Sequence, residues 1–315
     1  MTSIAKSPGK IILFGEHFVV YDNRAILGAI DKYATVTSDK TNTDNILISS
    51  SLGQTSIQKD EDEDKIEKKF RPFFYIAKQL ILKNNFNKGI SIKIESDIPI
   101  GAGLGSSSAC CVAAAASISN LFNNTDKKEI LELAIQAEKT IFPNSSGADC
   151  TVSVYGGIIE YQREKGFSKI NTENEFNFLI INSEQVHATN KVVERVKKFK
   201  EKNEEVFSEL CSEEERLITK ALDSMKNNDL QTIGKCMAQN QIYLEQIGVS
   251  NDILLSITKE IEKITFGAKI TGAGDGGCII ALTEKDNDLS EYVNTTKYQI
   301  HQVSIQKTGM QVFNT

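Results

Sequence analysis

The chain has 315 residues, with 36 Lys and Arg against 42 Asp and Glu, giving a formal net charge of −6. Apolar residues make up 40% and charged residues 25%, an ordinary globular balance that excludes a disordered or collagen-like chain, and the length suggests about two domains. The longest unbroken apolar run, Ala109–Ala116, is far too short for a membrane span, and the opening MTSIAKSPGK carries no secretion signal, so a cytoplasmic protein without membrane contact is expected.

A mild acidic excess offers nucleic acid no general attraction, so any anionic ligand has to be held by a local device. The six cysteines include no CxxC pair, and only His17, His187 and His301 could join them. Buried, reduced thiols are therefore expected in place of a zinc site.

Ile11–Phe14 and Phe18–Tyr21 read as two short strands meeting at the charged corner Gly15-Glu16-His17. Tyr33–Ser38 and Ile46–Ser50, rich in Thr, Val and Ile, are further strand candidates. The acidic run Asp60–Asp64 leads into an amphipathic stretch, Ile66 to Leu82, as suits a helix N-terminus. Ile90, Ile92 and Ile94 alternate with Ser91, Lys93 and Glu95 as a half-buried strand.

Pro99 and the glycines Gly101, Gly103 and Gly105 break that pattern, and an Ala-rich helix is expected from Ser106 to Phe122. Asp126 with Glu129 forms a capping-box-like start for a helix carrying Ile130, Ala134, Ala137 and Ile141 on one side. Thr151–Tyr155 reads as a strand, and Gly156-Gly157 opens another over Ile158–Tyr161. The polar stretch Arg163–Glu175 marks the expected boundary between a domain over 1–172 and one over 173–315.

Four helices follow, over Thr189–Lys202, Glu204–Lys226, Leu230–Ile247 and Ser250–Lys263. The strand Ala268–Thr271, a second glycine cluster, the strand Cys278–Leu282 and strands between Tyr298 and Phe313 close the chain. Strands and helices mixed without regular alternation predict two α+β domains.

Pro99-Ile100-Gly101-Ala102-Gly103-Leu104-Gly105-Ser106-Ser107-Ser108 joins a strand to a helix N-terminus. Its glycines let the backbone approach a ligand, and the first-turn N–H groups and helix dipole favour phosphate. No lysine follows as a Walker loop requires, and Asp126 reads as a helix cap, not a dinucleotide-fold acid. The alternative is a tight turn with close helix packing. A second cluster, Thr271-Gly272-Ala273-Gly274-Asp275-Gly276-Gly277, is either a bulged turn or the other half of a cleft.

Glu138 follows Leu131 by seven and Ala134 by four, close to the apolar side of its helix near the C-terminal end. A carboxylate there calls for a cation, either a lysine partner or Mg²⁺. Asp149 on its own is a turn residue. Lys10 and Glu16 could pair with each other, with His17 an ordinary buried ring; spacing alone does not choose.

SPGKIILFGEHFVVYD at 7–22, PIGAGLGSSSA at 99–109 and KITGAGDGGC at 269–278 resemble, in order and spacing, the three signature motifs of the GHMP kinases. EKTIFPNSSGAD at 138–149 and NQIYLEQIGVS at 240–250 extend the likeness over almost the whole chain, and the closest similarity is to the branch acting on mevalonate.

That resemblance implies a two-domain α+β fold with the active site in the interdomain cleft, and phosphorylation of the primary hydroxyl of (R)-mevalonate by Mg-ATP. It implies that Asp149 takes the proton from, or orients, the attacking hydroxyl, with Lys10 beside it, and that Ser107 and Glu138 ligate Mg²⁺. The segment from Pro99 through Ile100 and Gly101 to Ser108 and Ala109 would hold the ATP phosphates. Glu16, His17, Thr189, Gly272 and Ala273 would contact mevalonate. Family members are often dimers, so a homodimer fits the same picture, with no nucleic-acid or membrane partner.

Three residues depart from the family pattern: Ser108 and Phe18 each stand where Ala is usual, and Asp275 where a small residue is usual. A sister kinase acting on phosphomevalonate would want additional basic groups, and the 10–24 segment has only Lys10 and Arg24; a galactokinase-like chain would usually continue GEH with Thr-Asp, where this one has Phe18-Val19. A non-catalytic ATP-binding regulator would be expected to have lost Lys10 or Asp149, and both are present.

Overall fold

The computed structural model describes residues 2–99, 101–185, 189–285, 292 and 296–314. Ile100 and His187 therefore lie outside the described residues.

Two long antiparallel strands, β1 (Thr2–Phe14) and β2 (Ala25–Lys40), form the spine of the first sheet, with Lys10 opposite Ala29. β3 (Asn45–Ser50) and β4 (Gly53–Gln58) make a hairpin, and β3 runs parallel to β5 (Ile90–Ser96). β6 (Ile158–Gln162) pairs with β2 and with β7 (Gly166–Ile170), and the last strand, β12 (Gln311–Asn314), returns to pair with β1. The sheet order is β12-β1-β2-β5-β3-β4, with β6 and β7 off the side of β2.

Four helices belong to this half: α1 (Arg71–Lys83), α2 (Ser106–Asn120), α3 (Lys127–Lys139) and α4 (Ala148–Tyr155). In α2 every residue from Ser108 to Asn120 is buried, which explains its alanines: a small-residue helix can lie flat against β1 and β2 while α1, α3 and α4 pack around it. Asp126 caps α3 by accepting from the N–H groups of Lys128 and Glu129 at 2.9 Å, as its spacing predicts.

The second sheet is antiparallel, in the order β11-β8-β10-β9. Its strands are β8 (Asn177–Asn182), β9 (Gly267–Thr271), β10 (Cys278–Thr283) and β11 (Gln299–Ser304). α7 (Leu230–Gln246) and α8 (Asp252–Ile261) cover β9, α6 (Glu204–Lys226) packs on α7, and α5 (Thr189–Lys202) on α6.

Two sequence expectations are corrected. Phe18–Tyr21 is a single 3-10 turn, because His17 adopts φ 64° and Phe18 turns into the core against Phe207. Thr151–Tyr155 belongs to α4: Gly147, with φ 81° before the helix, starts a turn that burial carries on against the β-propensity of Thr, Val and Tyr. The stretch Arg163–Glu175 begins with the exposed turn and second strand of the β6–β7 hairpin. Five of the six cysteines are buried, Cys211 is half-buried, and all six are free thiols.

Candidate active site

β1 brings Lys10 to the end of the first glycine loop. Its backbone N–H donates to the Leu104 carbonyl at 2.9 Å, and its side chain runs past Gly105. A Cβ on Gly105 would stand 2.7 Å from Lys10 Cγ, and φ there is +71°, so glycine is required both for the turn and for the lysine's passage. Lys10 Nζ then reaches Asp149 Oδ2 at 3.2 Å; the lysine side chain is 4% exposed and the aspartate 33%. Lys10 is thus paired with Asp149, not with Glu16.

Asp149 sits in the first turn of α4, held to the sheet by its helix and not by a mobile turn. The described part of the first loop leads directly into α2. Pro99 is half-buried and Gly101 exposed, Ala102, Leu104 and Ala109 are buried, and Ser106 and Ser107 are half-buried in the first helical turn. The two glycine loops meet face to face: a Cβ on Gly103 would lie 3.3 Å from the Thr271 carbonyl oxygen.

Glu138, at the end of α3, is buried and bonded by hydroxyls. Ser108 donates to Oε1, Ser145 donates to Oε2 at 2.5 Å, and the Cys150 thiol lies 3.8 Å from Oε2. Among the described residues no lysine or arginine forms an ion pair with it. Burial pushes its carboxyl above the usual carboxylate range, and the Asp149 charge pushes the same way; Ser108, Ser145 and Lys10 oppose them. The lysine partner left open by the sequence is therefore not found.

His17 reaches across to the second loop, its Nε2 lying 2.8 Å from the Ala273 carbonyl oxygen. A carbonyl only accepts, so this nitrogen carries the proton. Burial lowers the ring pKa to about 4, against the Ala273 bond, leaving a neutral imidazole at neutral pH. Thr189 opens α5 and is exposed, directly after the undescribed residues 186–188, while Gly272 and Ala273 are half-buried in the second loop.

Glu16 is not on the cleft surface. Its side chain is fully buried and bonded to the equally buried Lys269 of β9. Beside the pair, Glu214 of α6 accepts from the Gly15 N–H at 2.8 Å and from Asn240 at 2.7 Å. Burial raises Glu214 to about 7, with the nearby Glu16 charge adding to the effect.

The model for the GHMP kinases N terminal domain matches residues 73–157, and that for the GHMP kinases C terminal matches residues 220–295. A mevalonate kinase from Archaeoglobus fulgidus is 33% identical over 291 residues, covering 92% of this chain and 95% of the relative. The chain belongs to the GHMP kinase family, in its mevalonate kinase branch.

The solved mevalonate kinase of Methanococcus jannaschii superposes with a TM-score of 0.84 at 30% identity, covering 96% of this chain and 98% of that one. The L. major mevalonate kinase, solved in complex with R-mevalonate, superposes with a TM-score of 0.81 at 25% identity, covering 96% of each chain. As a GHMP kinase the protein is an enzyme that phosphorylates an alcohol, with ATP as the co-substrate its family implies.

The three departures from the GHMP pattern each have a structural place. Phe18 is fully buried, 5.8 Å centroid to centroid from Phe207 of α6. Ser108 supplies the hydroxyl on Glu138. Asp275, at φ 58°, turns away from the first glycine loop and pairs with Arg195 of α5 at 2.9 Å.

Sequence reasoning missed Lys269, Glu214, Ser145 and Arg195. Two had a visible signal: Lys269 interrupts a short apolar strand, and Glu214 lies on the apolar stripe of α6 with Phe207, Leu210, Leu217 and Ile218.

Proposed function

We propose that this kinase transfers the γ-phosphoryl group of ATP to the primary hydroxyl of (R)-mevalonate, giving (R)-5-phosphomevalonate and ADP. The observation that carries the reading is the Lys10–Asp149 pair at 3.2 Å beside the meeting point of two glycine loops, in a chain whose relatives are mevalonate kinases. Asp149, its side chain 33% exposed, is the carboxylate open to solvent at this point, and it accepts or orients the hydroxyl proton as the oxygen attacks. Lys10 fixes the Asp149 carboxylate and offsets negative charge on the reacting oxygen.

Backbone N–H groups from Gly101 to Ser108 and the N-terminus of the 15-residue α2 hold the phosphates of ATP. His17, Thr189, Gly272 and Ala273 form the alcohol side of the cleft. His17 stays neutral there, its Nε2–H committed to Ala273 and its other nitrogen left as an acceptor.

A Mg²⁺ ion fits the residues present. Glu138 is a buried carboxylate with hydroxyl neighbours and no bonded cation among the described residues, and Ser107 follows in the first turn of α2. Mg²⁺ needs few protein ligands, because phosphate and water oxygens complete its octahedron. Bound there, Mg²⁺ would neutralise charge on the transferring phosphates.

The proposal includes two lobes divided near 172/173, with the last strand returning to the first, a homodimer, and a cytoplasmic enzyme without nucleic-acid or membrane partners. No described helix is long and apolar enough to cross a membrane. An ADP-release assay against mevalonate, phosphomevalonate, galactose and homoserine tests the reading. Turnover with mevalonate alone is expected; turnover confined to any other alcohol contradicts it.

A further inference from the structure

The corner between β1 and β2 is tied to β9 and its loop by successive contacts. The Ile12 N–H donates to Thr271 Oγ1 at 3.0 Å, and that hydroxyl lies 3.2 Å from the Ile12 carbonyl oxygen it donates to. Glu16 pairs with Lys269, 253 residues away, and the neighbouring His17 bonds Ala273, four residues beyond Lys269. Lys269 also donates to the Ile270 carbonyl at 2.7 Å, and the Ile270 N–H donates to Gln241 of α7 at 2.9 Å.

The Glu16–Lys269 pair is thus the fully buried centre of a seam joining the two sheets. A buried ion pair is retained more readily for the arrangement it specifies than for net stability. Among the described residues Glu16 Oε2 makes no hydrogen bond, and Lys269 is the side-chain partner that holds the carboxylate. The backbone of Glu16 continues straight into His17, and that of Lys269 into the 271–277 loop. Fixing the first two side chains fixes the spacing of the groups that follow them.

We propose that Glu16 and Lys269 are positioning residues that act together, setting the distance between His17 and the 271–277 glycine loop on the alcohol side of the cleft, and that Glu16 does not itself bind substrate. This rests on the mevalonate reading for its kinetic consequence, but the seam is testable without any substrate. The pair bears on the alcohol side through His17 and Ala273, so its loss should disturb the alcohol subsite more than the phosphate loop, which touches this seam at Gly103 and Thr271.

The experiment compares wild type, Glu16→Gln, Lys269→Met and the double variant, which leaves no unpaired buried charge and supplies the measurement if Lys269→Met does not fold. Hydrogen exchange of the substrate-free proteins is read at 15–18 and 271–277. The expected result is faster exchange in both segments in every variant, with a smaller change at 101–108; unchanged exchange at 271–277 overturns the seam.

In steady-state kinetics, both single variants should raise the KM for mevalonate by a similar factor, about tenfold, with the KM for ATP within about twofold of wild type. The double variant should raise it no further than either single. A raised mevalonate KM in Glu16→Gln with a wild-type value in Lys269→Met would show that Glu16 touches the substrate and would overturn the proposal. A wild-type enzyme inactive on mevalonate contradicts the substrate reading instead, and the exchange result then decides the seam.

Discussion

Lys10 Nζ lies 3.2 Å from Asp149 Oδ2, the lysine packed under Gly105 and the aspartate open to the cleft. On the proposed reading, the buried cation holds the carboxylate that meets the attacking hydroxyl. Lys10→Met should therefore depress kcat with the protein still folded. Gly105→Ala offers a second route: it keeps the charge but sets a Cβ 2.7 Å from Lys10 Cγ at a φ of +71°. Displacement of the ammonium should lower kcat there as well, and the left-handed backbone should cost about 1 kcal/mol of stability, read by denaturant unfolding. Wild-type kcat in both variants would separate Lys10 from the chemistry.

Glu138 should govern the metal requirement. Glu138→Gln removes a negative oxygen but preserves the shape that Ser108 and Ser145 hold. The Mg²⁺ concentration giving half-maximal rate should rise by about tenfold or more while thermal unfolding of the metal-free protein changes little. An unchanged Mg²⁺ titration would remove Glu138 from the site.

His17 should not titrate near its ordinary value. Burial lowers its pKa to about 4, so the folded protein binds the imidazole proton less well than the unfolded chain does. Its contribution to stability is present above about 6.5 and is lost as pH falls through about 4. Proton NMR of the ring should show a midpoint near 4, and kcat/KM should show no limb from His17 between pH 6 and 7. A ring midpoint at the ordinary value would mean that the ring is not buried in solution.

Glu214 should produce the opposite slope. Burial raises its pKa to about 7, with the Glu16 charge adding and Asn240, Lys269 and the Gly15 N–H opposing, so the neutral acid is favoured in the folded state. Stability from this group is full below about 4.5 and is lost as pH rises through about 7, a difference of about 3 kcal/mol. In Glu214→Gln that slope should vanish. Gln can still accept from Gly15, and Asn240, whose Oδ1 is otherwise unpartnered, can flip to accept from the new amide. Denaturant unfolding of both proteins at pH 5 and pH 8 reads the difference; parallel changes would place the titration elsewhere.

The glycine loops and long helices were legible in the sequence because each carries a local signal. The α5 and α6 boundaries follow from apolar periodicity, and Asp126 announces α3 through its own cap. β8 was missed because Asn177–Asn182 is buried on both faces for nearly its whole length, leaving no alternation to read. α4 was misread because Thr, Val and Tyr favour strands, and only the tertiary burial of Cys150, Val152 and Val154 overrides them.

At the site, the residue types were legible and their partners were not. Lys10 offered both Glu16 and Asp149 as counter-charges, and the pairing was settled by Lys269, which lies far along the chain and claims Glu16. Nothing within a local window could have joined residues 253 positions apart.

The central claim is that Asp149 performs or directs the proton transfer in phosphorylation of mevalonate. Single-turnover phosphorylation of mevalonate by wild type and Asp149→Asn, at saturating Mg-ATP and mevalonate, tests it most directly. Asn keeps the shape and one acceptor, so binding and folding should survive while the chemical step falls by about 10² to 10⁴-fold. With Lys10→Met added, the loss should be smaller than the product of the two single losses, since the pair acts as one unit. A near-wild-type single-turnover rate in Asp149→Asn would contradict the account and leave catalysis to positioning and the metal alone.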